Sequence, residues 1–166
     1  MILRELKLED AVLMLEWMHD SNVVAGLQTD FYSKSIDDCY RFILNSHDDK
    51  RNLHFAIADD YDIYHGTVSL KNIEDNTAEF AIAMRSEAMG TGLSKLAMEK
   101  IIEIGFSVLN LSLIYWCVSP RNIRAVRFYD KNGYHRTEAG ELCILGDYNQ
   151  SQINEYIWYS ISSQSY

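Results

Sequence analysis

Two short motifs in this chain carry residue types that can do chemistry together. Gly90 and Gly92 stand between a predicted strand and a predicted helix. Glycines let backbone amides approach a ligand closely, and the unpaired amides and dipole of a helix N-terminus favour an anion such as phosphate. Tyr129 lies on a second predicted helix, and its phenol can act as a proton donor. A phosphate-bearing cofactor beside a proton donor indicates an enzyme.

The elements that must position these motifs are strands and helices in alternation. Thr77–Met84 is predicted as the strand before the glycines, and Leu113–Val118 has the composition of a buried strand. Asn122 is a plausible N-cap and Gly133 a natural C′ residue of the second helix. The strand-helix-strand unit predicts a parallel pair with a right-handed crossover. The helix after the glycines is predicted from an apolar stripe, made of Leu93, Leu96, Ala97, Ile101, Ile104 and Val108.

The other segments complete one mixed α/β domain, which we expect to span residues 1–166. Leu53–Ala58, Ile63–Leu70 and Thr77–Met84 are predicted as an antiparallel meander, because turn-forming residues separate them. Tyr134–Ser160 alternates enough for a final pair of strands, with a turn near residues 146–149. The predicted N-terminal elements are a strand at Ile2–Leu6, a helix with Ala11, Val12, Leu15 and Met18 on its apolar face, and a helix with a capping box formed by Ser35 and Asp38.

Composition indicates which binding partners and which cellular compartment are expected. The net charge of −9 argues against nucleic acid, because phosphate binding needs a basic surface. An acidic surface favours a cationic substrate or simply maintains solubility. No apolar run reaches transmembrane length and the N-terminus has no signal-peptide pattern, so no membrane partner is expected. Three irregularly spaced cysteines are typical of reduced thiols in the cytoplasm, and they form no metal-ligand pattern.

The glycine pair by itself is equally compatible with a purely structural turn. Two well-known phosphate loops do not match it. A dinucleotide-binding fingerprint requires Gly or Ala where Lys95 stands, and a P-loop requires a Gly-Lys-Ser/Thr ending.

A third phosphate loop does match. The sequence Glu87-Ala88-Met89-Gly90-Thr91-Gly92 resembles the Gln/Arg-x-x-Gly-x-Gly/Ala loop of the GCN5-related N-acetyltransferases (GNATs), and the resemblance extends over most of the chain. In that family the loop binds the pyrophosphate of acetyl-CoA through backbone amides. The amides of Met89 to Leu93 are implied to do so here. Glu87 replaces the usual Gln or Arg, so a side-chain contribution from position 87 is not expected.

The second helix is the more specific match. Asn122, Ala125, Phe128, Tyr129, Lys131, Gly133 and Tyr134 fit the family pattern Asn-x-x-Ala-x-x-Phe-Tyr-x-Lys-x-Gly-Phe/Tyr. The resemblance implies that Asn122 hydrogen-bonds the pantetheine arm and that Ala125 and Phe128 pack against the cofactor. Tyr129 would then donate a proton to the departing thiolate. Read without the family, the same aromatic stripe is also typical of an ordinary helix core.

The strand before the glycine loop is expected to carry the thioester and a base. A pantetheine arm laid back along it, at ~3.3 Å per residue, reaches Phe80–Ile82. Glu79 is the candidate general base, whereas His54 and His65 are weaker candidates and His135 is interpreted as structural. The cofactor-binding residues predicted in this way are Ala81, Ile82, Ala83, Met84, Met89, Gly90, Thr91, Gly92, Leu93, Asn122, Ala125 and Phe128.

The resemblance implies an α/β fold with a mixed, mostly antiparallel sheet whose central parallel pair splays around the cofactor, flanked by helices. It implies an acetyl-CoA-dependent N-acetyltransferase that needs no metal and acts by direct transfer to a primary amine. An amino sugar or a ribosomal-protein N-terminus is the favoured acceptor, and a polyamine or peptide amine stays open. The alternative is a catalytically idle acyl-CoA-binding regulatory module. Self-association as a homodimer through the final strands is compatible with the sequence.

Overall fold

A computed structural model describes all of residues 1–166. Its strands are β1 (Ile2–Arg4), β2 (Leu53–Ala58), β3 (Tyr64–Glu74), β4 (Thr77–Met84), β5 (Leu113–Val118), β6 (His135–Arg136) and β7 (Ile157–Ser162). Its α-helices are α1 (Ala11–Met18), α2 (Ser21–Val24), α3 (Ile36–Ser46), α4 (Leu93–Ser107), α5 (Ile123–Lys131) and α6 (Gln150–Glu155). Single 3₁₀ turns lie at Leu8–Asp10, Ser86–Ala88 and Ala139–Glu141.

The strands form one seven-stranded sheet in the order β1-β2-β3-β4-β5-β7-β6. Every neighbouring pair is antiparallel except β4 and β5, which are parallel and joined through α4. This arrangement confirms the predicted fold class. The predicted bounds of β2, β4 and β5 agree with the structure, whereas β3 extends four residues further than predicted, to Glu74.

Each face of the sheet carries its own hydrophobic core. On one face α4 and α5 pack against β4 and β5, and the cluster includes Ile101, Ile114 and Trp116. On the other face α1 and α3 pack near β2 and β3, around Met14 and Ile43. The sheet is therefore covered on both faces.

Two helices bury a different stripe from the predicted one. In α4 the buried residues are Ala97, Met98, Ile101, Ile102 and Gly105. Leu96 and Val108, which were predicted to be buried, are 48% and 68% exposed. In α1 the buried residues are Ala11, Met14, Trp17 and Met18, whereas Val12 is 64% exposed. Both helices carry apolar residues on more than one face, so periodicity alone does not define which face packs on the sheet.

Helix caps follow the local sequence closely. The Ser35 hydroxyl accepts from the amide of Asp38, and the Asp38 carboxylate accepts from the amide of Ser35, which confirms the predicted capping box of α3. Asn122 Oδ1 accepts from the amide of Ala125 at 3.2 Å and so caps α5. Because both caps are made within three residues, the sequence pattern predicts them directly.

The last two strands pair as predicted, but their connection is longer than a hairpin turn. β6 and β7 are antiparallel, and residues 137–156 between them contain a 3₁₀ turn and α6. Residues 146–149 therefore do not form the turn of that pair. They lie against β4 instead, where Gly146 and Tyr148 contact Glu79. No helix is long and apolar enough to cross a membrane.

Candidate active site

The candidate site lies in a gap between β4 and β5. The two strands are paired from Thr77 to Glu79 only, and Phe80–Met84 has no partner on β5. A cavity of about 750 Å³ extends through this gap. A parallel pair that is joined at one end and open at the other leaves backbone groups free in the middle of a sheet.

The register shows which backbone groups face the gap. The amide of Arg85 donates to His65 on β3 at 2.9 Å, and an antiparallel ladder alternates hydrogen-bonded and non-hydrogen-bonded pairs. Ala81 and Ala83 therefore direct their amides to β3, whereas Phe80, Ile82 and Met84 direct theirs into the gap. Of the predicted cofactor-binding residues on β4, Ile82 and Met84 direct their amides into the gap. Ala81 and Ala83 line the cavity, but their amides are directed to β3 and are not available to the thioester.

The glycine loop has the conformation that an anion site needs. Gly90 and Gly92 have φ of +79° and +89°, and the space around each Cα is open. The amides of Gly90, Gly92, Ser94 and Lys95 donate to no protein acceptor. They precede and open the 15-residue helix α4, whose dipole adds partial positive charge at the same place. These groups fit a pyrophosphate, because an anion satisfies both the free donors and the dipole.

Glu87 is turned towards a cation. Its carboxylate is 3.3 Å from the guanidinium of Arg85, which also pairs with Glu16 at 2.8 Å. Arg85 is buried, and its single charge is shared by the two carboxylates. It therefore offsets only part of the repulsion that an acid near a pyrophosphate would cause.

Tyr129 lies on α5 with its ring between other aromatic rings. Its ring centroid is 5.4 Å from Trp116 and 5.1 Å from Tyr159, and the residue is 7% exposed. The hydroxyl has no hydrogen-bond partner in the protein, although the residue lines the cavity. Burial raises the pKa of Tyr129 well above its usual value, so the phenol stays protonated and can donate.

Glu79 is buried and held by three donors. Lys71 Nζ lies 3.2 Å and Asn72 Nδ2 3.3 Å from its carboxylate oxygens, and the phenol of Tyr148 donates a third hydrogen bond. Gly146 lies against the same carboxylate, since a Cβ there would be 2.7 Å from Glu79 Oε2. Burial raises the pKa of Tyr148, so that phenol also stays protonated. The connection before β7 therefore closes over Glu79.

The histidines differ in their distance from the cavity. His54 lines it and bonds the hydroxyl of Ser69 at 2.7 Å, and burial lowers its pKa, so that it is neutral. His65 pairs with Asp59 at 3.0 Å and is not among the lining residues. His135 is exposed on β6. Among the histidines considered, only His54 is placed to meet a ligand.

Most of the predicted site residues meet at this one cavity. Those that line it are Glu79, Ala81, Ile82, Ala83, Met84, Met89, Gly90, Asn122, Ala125, Phe128 and Tyr129. Thr91, Gly92 and Leu93 are not lining residues and lie beyond the rim, in the loop that opens α4. Residues of the N-terminal part of the chain also line the cavity, among them Trp17, Met18, Phe31, Lys34 and Asp38.

Sequence reasoning missed several polar residues of the cavity. Tyr148 and Lys71 hold Glu79, and Gln28 Nε2 lies 3.2 Å from the sulfur of Cys117. Burial raises the pKa of the Cys117 thiol to about 11. Tyr148 is 69 residues from Glu79 along the chain, and no local pattern connects them. The sequence predicted a turn at residues 146–149, but it did not predict that this segment contacts Glu79.

The fold and this site define an N-acetyltransferase. A family model described as "Acetyltransferase (GNAT) domain" matches residues 1–135, and the chain belongs to this family. Acetyltransferase PseH of Campylobacter jejuni is 25% identical over 132 residues, which cover 78% of this chain and 80% of that protein. Spermidine N(1)-acetyltransferase of Escherichia coli is 29% identical over 129 residues, which cover 75% of this chain and 62% of that protein.

Solved structures share the fold over nearly the whole chain. Spermidine N-acetyltransferase from Vibrio cholerae, in complex with CoA and spermine, superposes with a TM-score of 0.79 at 23% identity, covering 99% of this chain and 96% of that one. A dodecameric structure of spermidine N-acetyltransferase from Vibrio cholerae in an intermediate state gives a TM-score of 0.71 at 22% identity, covering 98% and 94%. At these identities the likeness establishes the fold.

Proposed function

We propose that this chain transfers the acetyl group of acetyl-CoA to a primary amine by direct attack in a ternary complex. The observation that carries the proposal is the gap between β4 and β5, which has free backbone groups along one wall and free loop amides at one end. A phosphate-bearing chain with amide groups fits both features. Its pyrophosphate would accept from the loop amides, and its pantetheine arm would pair with Ile82 and Met84.

The proposed chemistry uses Tyr129 and Glu79. The neutral amine attacks the thioester carbonyl, a C–N bond forms and the C–S bond breaks. The phenol of Tyr129 donates to the departing thiolate, a role supported by its protonated state and free hydroxyl. Glu79 is our candidate for taking the amine proton, directly or through water. Its three donors hold the carboxylate in one orientation beside the gap.

Direct attack is favoured over an acetylated cysteine intermediate. Cys117 is the cysteine that lines the cavity, and it is the obvious nucleophile for a two-step route. Its thiol has a pKa raised to about 11 by burial, so the thiolate is scarce near neutral pH. The thiolate is the nucleophilic form of cysteine, and a thiol held protonated by burial is poorly suited to that role.

The acceptor class is proposed from chemistry and relatives together. The Escherichia coli and Vibrio cholerae relatives are named for spermidine, which is a primary amine. For this chain we propose an amino sugar or a protein N-terminus, because such amines have lower pKa values than lysine and are less dependent on a strong base. The idle acyl-CoA-binding module has no support from the comparisons.

The assembly and location follow as proposals. Residues 1–166 would act as one acetyltransferase domain, because strands from both ends of the chain belong to the same sheet. A homodimer is the assembly we expect, and the Vibrio cholerae relative is described as dodecameric. A cytoplasmic location is expected from free cysteines at positions 39, 117 and 143.

The test separates binding from turnover. Isothermal titration with acetyl-CoA should give one site per chain, and a thiol-release assay with a panel of primary amines should give turnover. No heat of binding under varied salt and pH would contradict the proposal. Binding without thiol release from any amine would favour the idle module instead.

A further inference from the structure

The charge inside the cavity is opposite in sign to the charge of the chain. The sequence contains 24 acidic and 15 basic residues. The charged side chains that line the cavity comprise four bases and two acids: Lys34, Arg41, Lys71, Arg124, Asp38 and Glu79. His54 adds no charge, because burial lowers its pKa. The cavity is thus a basic pocket in an acidic protein, which a general solubility requirement does not explain.

Both acids of the cavity are already neutralised by protein groups. Asp38 pairs with Arg41 at 2.6 Å, and Glu79 pairs with Lys71 at 3.2 Å. Lys34 has no carboxylate within 4.0 Å. Arg41 uses one guanidinium nitrogen for Asp38, so its other donors stay free. An excess of positive charge therefore remains for a ligand.

Two of the cavity's cations lie at the start of α3: Arg41, which is paired with Asp38, is on the helix, and Lys34 precedes it. Asp38, Arg41, Phe42 and Asn45 have the i, i+3, i+4, i+7 spacing of one helix face, and all four line the cavity. The ring of Phe42 is 4.8 Å from the ring of His54 on β2. In the sheet, His54 is paired with Ser69 on β3, and Ser69 is paired with Ala81 on β4. The glycine loop follows Met84, three residues further along β4 than Ala81. Arg41, next to Phe42 on α3, is therefore level with the middle of β4, where the thioester is expected, rather than with the proposed pyrophosphate site.

Lys34 precedes α3 and lines the same cavity. Arg41 pairs with Asp38, and after the hydrogen bonds from Ser35 the charges of Arg41 and Lys34 lower the pKa of that carboxyl. Both cations therefore line the cavity at the start of α3. An anion that enters beside Asp38 would meet both cations, and an arginine can bind a carboxylate, sulfate or phosphate with two parallel hydrogen bonds.

We propose that the acceptor is a primary amine that also carries an anionic group, which Lys34 and Arg41 bind while the amine faces Glu79 and Tyr129. The inference rests on the proposed N-acetyltransferase function and specifies its substrate class. The anion is a phosphate, a sulfate or a carboxylate. A polycationic amine such as spermidine is disfavoured, since it would meet like charges where the acceptor enters.

The experiment compares amines that differ only in charge. Glucosamine, glucosamine 6-phosphate, glucosamine 6-sulfate, 2-amino-2-deoxyglucuronic acid and spermidine are assayed by thiol release. The proposal expects kcat/KM to be about tenfold or more higher for at least one anionic sugar than for glucosamine, with an advantage that shrinks as salt rises. Comparison among the three anions identifies which group is bound.

Variants assign the effect to the two cations. Lys34→Gln and Arg41→Gln should each reduce kcat/KM for the preferred anionic amine by about tenfold, chiefly through KM, and leave glucosamine unchanged. Lys50→Gln is the matched control, because this lysine is exposed and does not line the cavity. Titration with acetyl-CoA should give the same affinity in all four proteins.

The outcomes keep the two proposals apart. Faster turnover of spermidine or of glucosamine than of every anionic sugar overturns the anion site and leaves the acetyltransferase proposal intact. Equal losses for charged and uncharged amines in Lys34→Gln and Arg41→Gln also overturn it. Acetyl-CoA binding without turnover of any amine overturns both.

Discussion

Replacing Tyr129 by Phe removes the proposed proton donor and little else. The hydroxyl has no protein partner, so its loss leaves no donor or acceptor unpaired, and the free energy of unfolding should change by less than ~0.5 kcal/mol. The ring contacts with Trp116, Phe128 and Tyr159 are kept. Removing one donor to a developing negative charge typically costs ~2.7–4 kcal/mol, which is about 10²–10³-fold in kcat.

The assay measures kcat by thiol release at saturating acetyl-CoA and amine, together with acetyl-CoA affinity by titration. We expect kcat to fall by about 10²-fold or more and the affinity to be retained, because the hydroxyl acts only on the departing sulfur. Deprotonation of Tyr129 should also cause no loss of activity below about pH 10, since burial raises the pKa of this phenol above its ordinary value.

Tyr134→Phe is the matched control for this experiment. Its ring centroid is 5.2 Å from Trp116, close to the 5.4 Å of Tyr129, but Tyr134 does not line the cavity. Its kcat should equal that of the unmodified protein. A kcat for Tyr129→Phe within about threefold of the unmodified protein would remove Tyr129 from the mechanism. Equal losses in both variants would indicate that the aromatic cluster acts through packing.

Three further predictions concern the loop, the acceptor end and alkaline stability. Gly92→Ala should cost ~1–2 kcal/mol of stability and weaken acetyl-CoA binding in a titration, because φ is +89° at this position. Gly140 lies in open space and has no positive φ, so Gly140→Ala should change neither stability nor binding. Gly146→Ala should lower kcat and spare acetyl-CoA affinity, because the added Cβ would be 2.4 Å from the ring of Tyr148 and 2.7 Å from Oε2 of Glu79, the proposed base; an unchanged kcat would mean that the loop moves aside without consequence. Burial raises the pKa of Tyr134 to about 12 from an unfolded value of ~10, so urea denaturation should show stability that is complete below about pH 10 and declines as pH rises towards 12.

The strands and caps were predictable because their determinants are local. Thr77–Met84 and Leu113–Val118 are bounded by turn formers, and both appear in the structure with those bounds. Asn122 caps a helix through the amide of Ala125, a contact that spans three residues. The apolar faces of α1 and α4 were assigned wrongly, because both helices carry apolar residues on more than one side. Only packing against the sheet selects the buried face.

The candidate site was predictable in part for the same reason. The glycine loop and the α5 motif are each a continuous stretch of sequence, and the structure brings both to one cavity. The surroundings of Glu79 were not predictable. Its three donors come from β3 and from the connection before β7, and the contact with Tyr148 joins residues 69 positions apart. Long-range contacts of this kind leave no signal in residue spacing.

The sequence by itself determined the family resemblance, the parallel pair that surrounds the gap, and the anion-binding character of the Gly90–Gly92 loop. Each of these depends on residues that are neighbours in the chain or on regular periodicity. Only the tertiary structure decided which amides of β4 face the gap and which sign of charge lines the cavity. The overall charge of −9 was compatible with a cationic substrate or with solubility alone, whereas the cavity collects four of the 15 basic residues. Local charge depends on which side chains converge from separate elements, and composition does not contain that information.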